Sequence, residues 1–334
     1  MIDIDLKLTK DLKKYKFIDL FAGIGGFHLA LSSFGAKCVF ASEWDESAAS
    51  TYKKNFNTEP FGDITLINEK KIPQHQILCG GFPCQAFSVS GKQKGFEDTR
   101  GTLFFDIARI IDFHKPKVVF LENVKNLAKH DNGKTFETII NTLQKLDYNV
   151  NYKIFNSSNF GLPQNRERIF IVAFHNTLNS SNFNFPTPPN TPIKLKDILE
   201  EKENLKEIVR DDIVYSKSKK HYTNTLFNDV VNKPIQIGKV NKGGQGERIY
   251  DINGHAITLS AYGGGVGAKT GLYLVNDKLR KLTPRECARL QGFPDSYVLN
   301  ENINQSYKQF GNSVSVNVLQ HIIIQIIKIL KENE

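Results

Sequence analysis

The sequence has few cysteines and no segment typical of export or of a membrane span. Its four cysteines show neither CxxC pairs nor a disulfide framework. The start, MIDIDLKLTKDLKKYK, lacks the apolar core and cleavage site of a secretory signal. The apolar stretch HIIIQIIKIL, at 321–330, is too short to cross a bilayer and is interrupted by Gln325 and Lys328. We therefore expect a protein of the reducing cytoplasm, with no membrane partner and a packed C-terminal helix.

Spacing typical of a metal site is also missing, because the eight histidines are scattered along the chain. We expect no metal. Positively charged residues outnumber negatively charged ones: 44 Lys and Arg against 35 Asp and Glu give a formal charge of +9. Such an excess suits a polyanion such as nucleic acid, although lysine-rich proteins also carry it for solubility. The length of 334 residues accommodates one large domain and one smaller domain.

Short β-rich runs alternate with helical patterns from residue 17 to about residue 175. The runs FIDLF, CVFASEW, HQILCGG and KPKVVFLENV predict βαβ units, and hence an α/β fold with a parallel sheet and helices on both faces. VNYKIFN and RIFIVAF predict a later strand pair. Catalytic loops of such sheets lie at the carboxyl ends of the strands, where Gly23, Glu43, Cys84 and Glu122 all fall.

Proline and asparagine concentrate in NFNFPTPPNTP, at 182–192, which predicts a domain boundary. We expect a catalytic and cofactor-binding domain over 1–196, completed by a helix within 312–334. A smaller, mostly β or irregular recognition domain is expected over 197–280, with a connecting segment over 281–311. The smaller domain contains two glycine clusters, KGGQGER and SAYGGGVGAKTG. A cleft of the size of DNA is expected between the two domains.

The glycine turn AGIGG follows the first predicted strand, so Gly23, Gly25 and Gly26 permit a ligand to approach the backbone. Twenty residues after Gly23, Glu43 is placed to accept the hydroxyl hydrogens of a ribose. Asp63 can bond an adenine amino group. Because the turn is not a full GxGxxG pattern, a nucleoside without pyrophosphate, such as S-adenosylmethionine, fits at least as well as a dinucleotide. The alternative is a structural turn with surface acids.

One cysteine differs from the others in its setting. Cys38 and Cys79 lie inside apolar runs, which is typical of core residues, whereas Cys84 follows Gly-Gly-Phe-Pro in a loop. A thiol with a pKa of about 8.5 needs a cationic or dipolar neighbour to form the thiolate near neutral pH. Arg166 and Arg168 of QNRER are candidates for that neighbour. The alternatives are a buried cysteine and a solvated arginine pair at a strand edge.

Six motifs occur in the order and approximate spacing of the cytosine carbon-5 DNA methyltransferases, and the chain resembles that family nearly end to end. The motifs are FAGIGG, FPCQAFSVSGKQKGFED, FLENVKN, QNRER, LTPRECARLQGFPD and QFGNSV. Only residues from about 197 to 235 have no clear match. The resemblance implies a Rossmann-like fold and transfer of methyl from S-adenosylmethionine to carbon 5 of a flipped cytosine in duplex DNA, with S-adenosylhomocysteine as the product.

The resemblance also implies the catalytic roles. Cys84 adds to carbon 6, and Glu122 hydrogen-bonds and protonates N3, so that carbon 5 can attack the methyl group. Arg168 is expected to steady the ring through O2, Asn123 to hold Glu122 or the base, and Arg166 to support the thiolate. A carboxylate that only caps the next turn remains the alternative for Glu122.

Ligand contacts follow from the same resemblance. The residues expected to bind the methyl donor are Phe21, Ala22, Gly23, Ile24, Gly25, Gly26, Glu43, Trp44, Asp63, Ile64, Pro83, Leu103, Asn312 and Val314. Those expected to bind DNA are Gln85, Ser88, Ser90, Lys92, Arg100, Gln245, Arg248, Thr258, Ser260, Tyr262 and Gly265. Gln245 and Ser90 are expected to fill the space that the flipped cytosine leaves, and Arg248 to donate two hydrogen bonds to a guanine.

The stretch KGGQGERIYDINGHAITLSAYGGG is similar to the target-recognition region of family members that methylate GCGC, so the inner cytosine of GCGC is the expected target. The chain departs from those members at Gly267, where they carry a bulkier residue, and at Ser315, where they carry an aliphatic one that serine is expected to replace without harm. A bacterial restriction-modification setting follows by analogy, with an endonuclease as a genetic partner only. One active site per chain predicts a monomer.

Three other functions remain compatible with the residues. The same chemistry can act on another DNA sequence or on transfer RNA. A DNA-binding protein without catalytic activity would keep the basic charge and would not need Cys84. A nicotinamide oxidoreductase would use the glycine turn and Glu43.

Overall fold

The computed structural model describes residues 10–83, 103–202, 205–216 and 232–334. Six residues with predicted roles lie outside the described residues: Cys84, Gln85, Ser88, Ser90, Lys92 and Arg100. The chain forms two compact units. The first unit comprises the described parts of Leu6–Phe155, Glu167–Pro186 and Leu319–Glu334, and the second comprises those of Asn156–Arg166 and Thr187–Val318. The division of function among 1–196, 197–280 and 281–311 stays a prediction.

The first unit is built on a six-stranded sheet in the order β2-β1-β3-β4-β6-β5. Its strands are β1 (Lys16–Leu20), β2 (Lys37–Ser42), β3 (Ile77–Gly81), β4 (Val118–Val124), β5 (Tyr148–Asn156) and β6 (Glu167–His175). Its helices are α1 (Gly26–Ser33), α2 (Glu46–Phe56), α3 (Leu103–His114) and α4 (Lys134–Lys145). The alternation of strand and helix along the chain confirms the predicted α/β fold.

Strand direction differs from the prediction in one place. β1 pairs in parallel with β2 and β3, and β3 pairs in parallel with β4, but β6 runs antiparallel to β4, with Val118 opposite Phe174. β5 and β6 are neighbours in the sheet, and only residues 157–166 connect them. A parallel pair of strands needs a crossover of a dozen or more residues, usually a helix, so the chain reverses direction between β5 and β6. The sheet is therefore mixed rather than wholly parallel.

Apolar strand residues and two helices form the core of the first unit. Buried side chains of β1, β3, β4 and β6 pack with buried side chains of α3 and α4. They include Ile18, Leu20, Leu78, Val119, Leu121, Phe104, Ile107, Ile111, Ile139, Leu143, Ile169 and Ile171. Because the central strands are buried on both faces, they read as continuous apolar runs in the sequence.

The second unit contains a five-stranded sheet in the order β11-β10-β9-β8-β7. Its strands are β7 (Val214–Tyr215), β8 (Ile235–Lys239), β9 (Arg248–Asp251), β10 (Leu272–Val275) and β11 (Lys278–Arg280). β9 and β10 are parallel, and the other pairs are antiparallel. The helices α5 (Pro284–Leu290) and α6 (Ile303–Asn312) follow the sheet.

One stretch of the described residues, Ile303–Glu332, is long and apolar enough to cross a membrane by length and composition alone. In the structure, residues 313–315 interrupt it and separate α6 from α7 (Val316–Glu332). α7 has 17 residues, fewer than the roughly 20 that span a bilayer, and its Leu319 and Ile322 side chains are fully buried. The prediction of a packed C-terminal helix is confirmed.

Candidate active site

The sheet brings the end of β3 beside Glu122. In the parallel pair of β3 and β4, Gly81 lies opposite Glu122, and Gly81 is three residues before Cys84. Glu122 is 7% exposed and lies inside β4, which continues to Val124 because Val124 pairs with Arg168 of β6. Glu122 was expected at the carboxyl end of its strand, and it lies two residues before the last residue of β4.

An ion pair joins Glu122 to Arg168. The Nε atom of Arg168 is 3.0 Å from Oε1 of Glu122, and the two side chains are 17% and 9% exposed. Arg168 also donates from Nη1 to the carbonyl of Glu167 at 2.8 Å. Glu122 faces Phe170 across the antiparallel pair, so Arg168 is its diagonal neighbour on the same side of the sheet. The structure thus brings together two of the five predicted catalytic residues.

Asn123 fixes the backbone that leads to the cysteine. Its side chain is 2% exposed and donates from Nδ2 to the carbonyl of Phe82 at 2.8 Å, while its Oδ1 accepts from the N–H of Val124. A buried amide that uses both ends in this way has little freedom to rotate. Asn123 therefore holds the end of β3 two residues before Cys84, and its predicted contact with the base stays a prediction.

Arg166 lies in the second unit and is 1% exposed. Its guanidinium donates to the carbonyls of Leu259 at 3.2 Å, Gly311 at 3.2 Å and Ser313 at 2.6 Å. The last two carbonyls flank Asn312, a predicted contact of the methyl donor. Through these bonds Arg166 links its own segment to Leu259 and to 311–313. Its predicted support of the Cys84 thiolate stays a prediction.

The glycine turn and Glu43 form a connected cradle. The N–H of Gly23 donates to Oε2 of Glu43 at 2.8 Å, and the N–H of Asp45 donates to Oε1 at 2.8 Å. Burial raises the pKa of Glu43, and these two backbone bonds oppose that rise. Each carboxylate oxygen has a second lone pair, so Glu43 can still accept a ribose hydroxyl.

Two glycines of the turn have different surroundings. Gly23 has a φ of +56°, and a Cβ placed there would meet no described atom within 4 Å. Gly25 has a φ of +81°, and a Cβ there would lie 2.2 Å from the Phe56 ring. Open space beside the Gly23 backbone fits a ligand that approaches the turn, whereas Gly25 is required by packing.

The remaining predicted contacts of the methyl donor lie in the first unit, except Asn312 and Val314, which lie in the second. Trp44 is 79% exposed, and the N–H of Glu43 donates to the carbonyl of Phe61 at 2.8 Å, which draws 61–64 to the end of β2. Asp63 accepts from the N–H of Thr65 at 2.9 Å. The others are Phe21, Leu103 (both partly buried), Ala22, Ile24, Gly26, Ile64 and Val314 (all buried), and Pro83 and Asn312 (both exposed).

A buried polar cluster below the glycine turn was not found from the sequence. Asp19 is 1% exposed, its Oδ2 has no hydrogen-bond partner among the described residues, and burial raises its pKa to about 8. Cys79 donates weakly to Asp19 Oδ1 across 3.8 Å, and His28 Nδ1 lies 2.5 Å from the hydroxyl of Tyr52. In the sequence, the apolar neighbours of Asp19 in FIDLF could have indicated that this carboxyl group is buried.

Gln245 lies on the segment between β8 and β9, Arg248 is the first residue of β9, and both are exposed. Arg248 donates from Nε to the carbonyl of Gly243 at 3.3 Å, and its side chain also hydrogen-bonds Tyr250. Between β9 and β10, Tyr262 is 74% exposed and accepts a hydrogen bond at its carbonyl from the Ser260 hydroxyl. Thr258 donates to the carbonyl of Asn165, and Gly265 is exposed with a φ of +84°.

The two glycine clusters pack against each other. The N–H of Gly267 donates to the carbonyl of Gly246 at 2.7 Å, and a Cβ on Gly246 would lie 2.1 Å from the carbonyl oxygen of Gly264. A Cβ on Gly267 would lie 2.7 Å from Leu272 and 2.8 Å from the backbone of Gly271. There is no room for a side chain at Gly267 unless the backbone of Gly271 shifts.

Other buried polar side chains complete the second unit. Gln164 is fully buried and donates to the carbonyl of Leu290 at 3.0 Å. The hydroxyls of Ser315 and Ser157 are 2.7 Å apart, and Ser315 also donates to Gln291 Oε1 at 2.9 Å. Ser315 therefore has polar partners, so its buried hydroxyl is satisfied.

Among the described residues, no group of three or more His, Cys, Asp or Glu side chains is arranged to hold a metal ion. The three cysteines that the structure describes, Cys38, Cys79 and Cys287, are free thiols. Burial raises the pKa of Cys38 to about 12 and that of Cys79 well above its ordinary value, so neither is a thiolate near neutral pH.

Comparisons with known proteins show which family the chain resembles. The sequence profile described as C-5 cytosine-specific DNA methylase matches residues 15–328. The Type II methyltransferase M.HhaI of Haemophilus parahaemolyticus is 56% identical over 325 residues, which cover 97% of each chain. The Type II methyltransferase M.HpaII of Haemophilus parainfluenzae is 46% identical, over 92% of this chain and 88% of its own.

Solved structures resemble the fold. The S. pombe Dnmt2 methyltransferase superposes with a TM-score of 0.68 at 21% identity, over 94% of this chain and 98% of its own. A Dnmt2 from Spodoptera frugiperda superposes with a TM-score of 0.70, also at 21% identity, over 93% and 99% of the two chains. At that identity the likeness concerns the fold.

Proposed function

Since the chain belongs to the family of C-5 cytosine-specific DNA methylases, we propose that it methylates the inner cytosine of GCGC in duplex DNA. Transfer of a methyl group to carbon 5 of cytosine is the activity of the family. The 56% identity to M.HhaI supports a target sequence similar to that of this relative. The proposal of GCGC rests on the stretch KGGQGERIYDINGHAITLSAYGGG and on Arg248, whose exposed guanidinium suits the O6 and N7 atoms of guanine.

The methyl donor is S-adenosylmethionine, which supplies an electrophilic methyl group when bound and leaves as S-adenosylhomocysteine. The open backbone at Gly23 and the remaining lone pairs of Glu43 fit a nucleoside, and the exposed Trp44 offers a face for its adenine. Asp63, two residues after Phe61, whose carbonyl accepts from the N–H of Glu43, is proposed to bond the adenine amino group. No metal is needed for this chemistry.

In the mechanism we propose, the flipped cytosine is activated by this chain's own side chains. The Cys84 thiolate forms a bond to carbon 6 while Glu122 protonates N3, which moves electron density to carbon 5. Carbon 5 then bonds the methyl carbon as the bond from that carbon to the sulfonium sulfur breaks, and N3 returns its proton to Glu122. Water takes the proton from carbon 5, and the bond from the cysteine sulfur to carbon 6 breaks, which restores the Cys84 thiolate. Arg168 keeps the Glu122 carboxyl in place and contacts O2 of the ring, and Asn123 fixes the backbone before Cys84.

Flipping of the cytosine costs roughly a few kcal/mol of stacking and pairing, and Gln245 and Ser90 are proposed to fill the space it leaves. The positive formal charge of +9 favours encounter with the phosphates. We place the enzyme in the bacterial cytoplasm as a monomer that acts on nucleoid DNA, in a restriction-modification system whose endonuclease is a genetic partner. Residues 197–280 would then supply the recognition of the target sequence.

One observation carries the proposal of covalent catalysis. The sheet register places Gly81, which leads into Cys84, opposite Glu122, and Arg168 pairs with that same carboxylate. The proposed acid thus lies beside the end of the strand that leads to the proposed nucleophile, which supports a shared role of the two.

Trapping tests this proposal directly. A GCGC duplex with 5-fluorocytosine at the inner position should form a stable adduct in the presence of S-adenosylmethionine, and peptide mapping should place it on Cys84. Cys84→Ala should abolish both the adduct and methylation, whereas Cys38→Ala should retain both. Methylation by Cys84→Ala, or an adduct on another residue, would refute the mechanism.

The target is tested separately. Bisulfite sequencing of plasmid DNA from a methylation-free host that expresses the gene should show conversion-resistant cytosines at GCGC. Resistance at other sites alone would keep the chemistry and reject GCGC. A tritiated-methyl assay in which transfer RNA, but not duplex DNA, accepts label would reject DNA as the substrate.

A further inference from the structure

A network of charged and amide side chains holds the segment between β8 and β9 from one side. Arg210 pairs with Asp212 through two bonds, Nε to Oδ1 at 2.6 Å and Nη2 to Oδ2 at 2.8 Å. Asp212 Oδ2 also accepts from the N–H of Asn241 at 2.8 Å, and Arg210 Nη2 donates to Oδ1 of Asn241 at 2.8 Å. Arg210 and Asp212 lie in the part of the sequence, from about 197 to 235, that has no clear match to the family motifs.

The network continues into the segment through Asn241. Its Nδ2 donates to Oε1 of Glu247 at 2.9 Å, and Oε2 of Glu247 accepts from the N–H of Gly244 at 2.9 Å. The backbone closes the same turn, because the N–H of Val240 donates to the carbonyl of Glu247 at 2.8 Å. Asn241 has a φ of +45°, a conformation that the surrounding bonds must maintain.

Both carboxylates of the network are held in the charged form. The hydrogen bond from Arg210 lowers the pKa of Asp212 to about 2, and the Asn241 amide lowers the pKa of Glu247. Charged acceptors make the stronger hydrogen bonds, so the network persists through neutral pH.

The network and the second glycine cluster together fix the two neighbours of the residue proposed to enter the DNA. Gln245 lies between Gly244, which Glu247 holds, and Gly246, whose carbonyl accepts from Gly267. Arg248 directly follows Glu247 in the chain. A side chain that enters a duplex from a fixed backbone loses less entropy and tolerates fewer base arrangements than one from a free loop.

We propose that Arg210 and Asp212 are positioning residues for target recognition: through Asn241 and Glu247 they hold Gln245 and Arg248 in the arrangement that selects the target sequence. This inference rests on the proposed function as a sequence-specific DNA methyltransferase. It assigns a role in specificity to a part of the chain that the family motifs leave unexplained.

Hydrogen exchange of the free protein tests the network without any assumption about function. Asp212→Ala removes the acceptor of Asn241, and Asn241→Gly removes the amide while it keeps a residue that tolerates positive φ. Peptides over 240–248 should exchange about tenfold faster in both variants. The matched control is Asp112→Ala, which removes an exposed ion pair with Lys115 in the first unit, and it should leave these peptides unchanged.

Methylation of a mixed DNA library tests the consequence. In Asp212→Ala and Asn241→Gly, the ratio of methylation at the wild-type site to methylation at sites with one changed base should fall about tenfold. The KM for S-adenosylmethionine should stay at the wild-type value, which a general loss of folding would not allow. Asn241→Gly serves as the second variant should Asp212→Ala fail to fold.

The outcomes separate the two proposals. Unchanged exchange over 240–248 in both variants overturns the network, whatever the wild type methylates. Faster exchange with an unchanged site ratio overturns the role in specificity. A wild-type protein that methylates no DNA refutes the proposed function, and with it the role in specificity, while the exchange experiment still decides whether the network holds the segment.

Discussion

Arg168 and Glu122 are paired across neighbouring antiparallel strands, with Nε and Oε1 3.0 Å apart and both side chains mostly buried. Glu122 is thereby fixed from β6, while Asn123, the next residue on β4, fixes the end of β3 through the Phe82 carbonyl. A single strand, β4, therefore holds the proposed acid and fixes the backbone at Phe82, two residues before the proposed nucleophile. That alignment is what proximity and orientation require of an active site.

We predict that Arg168→Met destabilises the protein by about 3 kcal/mol, because it leaves the mostly buried Glu122 carboxylate without its partner. Glu122→Gln together with Arg168→Met should recover most of that loss, since the remaining pair is neutral. Urea unfolding of the two single variants and the double variant measures the cycle. Methyl transfer in single-turnover assays should stay abolished in the double variant. A double variant no more stable than Arg168→Met would show that the pair is not the source of the loss.

Sequence reasoning found the strands and the loops at their carboxyl ends because the buried strands read as apolar runs separated by helical patterns. The direction of β6 escaped it, since RIFIVAF has the same apolar composition whether the strand is parallel or antiparallel. The direction depends on the short connection 157–166, which carries no apolar period.

Contacts between segments that are distant in the chain could not be predicted from the sequence either. QNRER was recognised as a motif, but the structure divides it: Arg168 pairs with Glu122 in the first unit, and Arg166 binds the carbonyls of Gly311 and Ser313 in the second. The two arginines have the same residue type and alternate in the chain, so only the strand register distinguishes them. The requirement for glycine at position 267 was also hidden, because it comes from the surrounding atoms of Leu272 and Gly271.

Trp44 is the single tryptophan of the sequence and is 79% exposed, so its fluorescence should report binding of S-adenosylmethionine. We predict that Trp44→Ala weakens binding of the methyl donor roughly fivefold, which corresponds to about 1 kcal/mol of stacking, and that Trp44→Phe loses less. Isothermal titration calorimetry measures the dissociation constants. Phe113→Ala, at an aromatic side chain of α3 that is 51% exposed, is the matched control and should bind as the wild type does. Equal affinity of Trp44→Ala would remove Trp44 from the adenine site.

Asp19 should make stability depend on pH. Its pKa is raised in the folded protein to about 8, from about 3.9 in an unfolded chain, so the folded state binds the proton more tightly. The resulting stabilisation is complete below pH 4 and is lost as the pH rises through 8. Compared with Asp19→Asn, which does not titrate, the wild type should lose about 3 to 5 kcal/mol of unfolding free energy between pH 4 and pH 8. Urea unfolding of both proteins across that range checks this, and a constant difference between them would contradict it.

The packing of the two glycine clusters predicts different effects on stability for alanine substitutions at two glycines that lie close in space, Gly246 and Gly264. A Cβ on Gly246 would lie 2.1 Å from the carbonyl oxygen of Gly264, and a backbone atom cannot rotate away as a flexible side chain can. Gly246→Ala should therefore destabilise the second unit by about 1 to 3 kcal/mol. Gly264→Ala adds the same methyl group where no described atom lies within 4 Å, so it should leave stability within about 0.5 kcal/mol of wild type. Urea unfolding and limited proteolysis of the segment 240–271 distinguish the two variants, and equal behaviour would show that the clusters separate in solution.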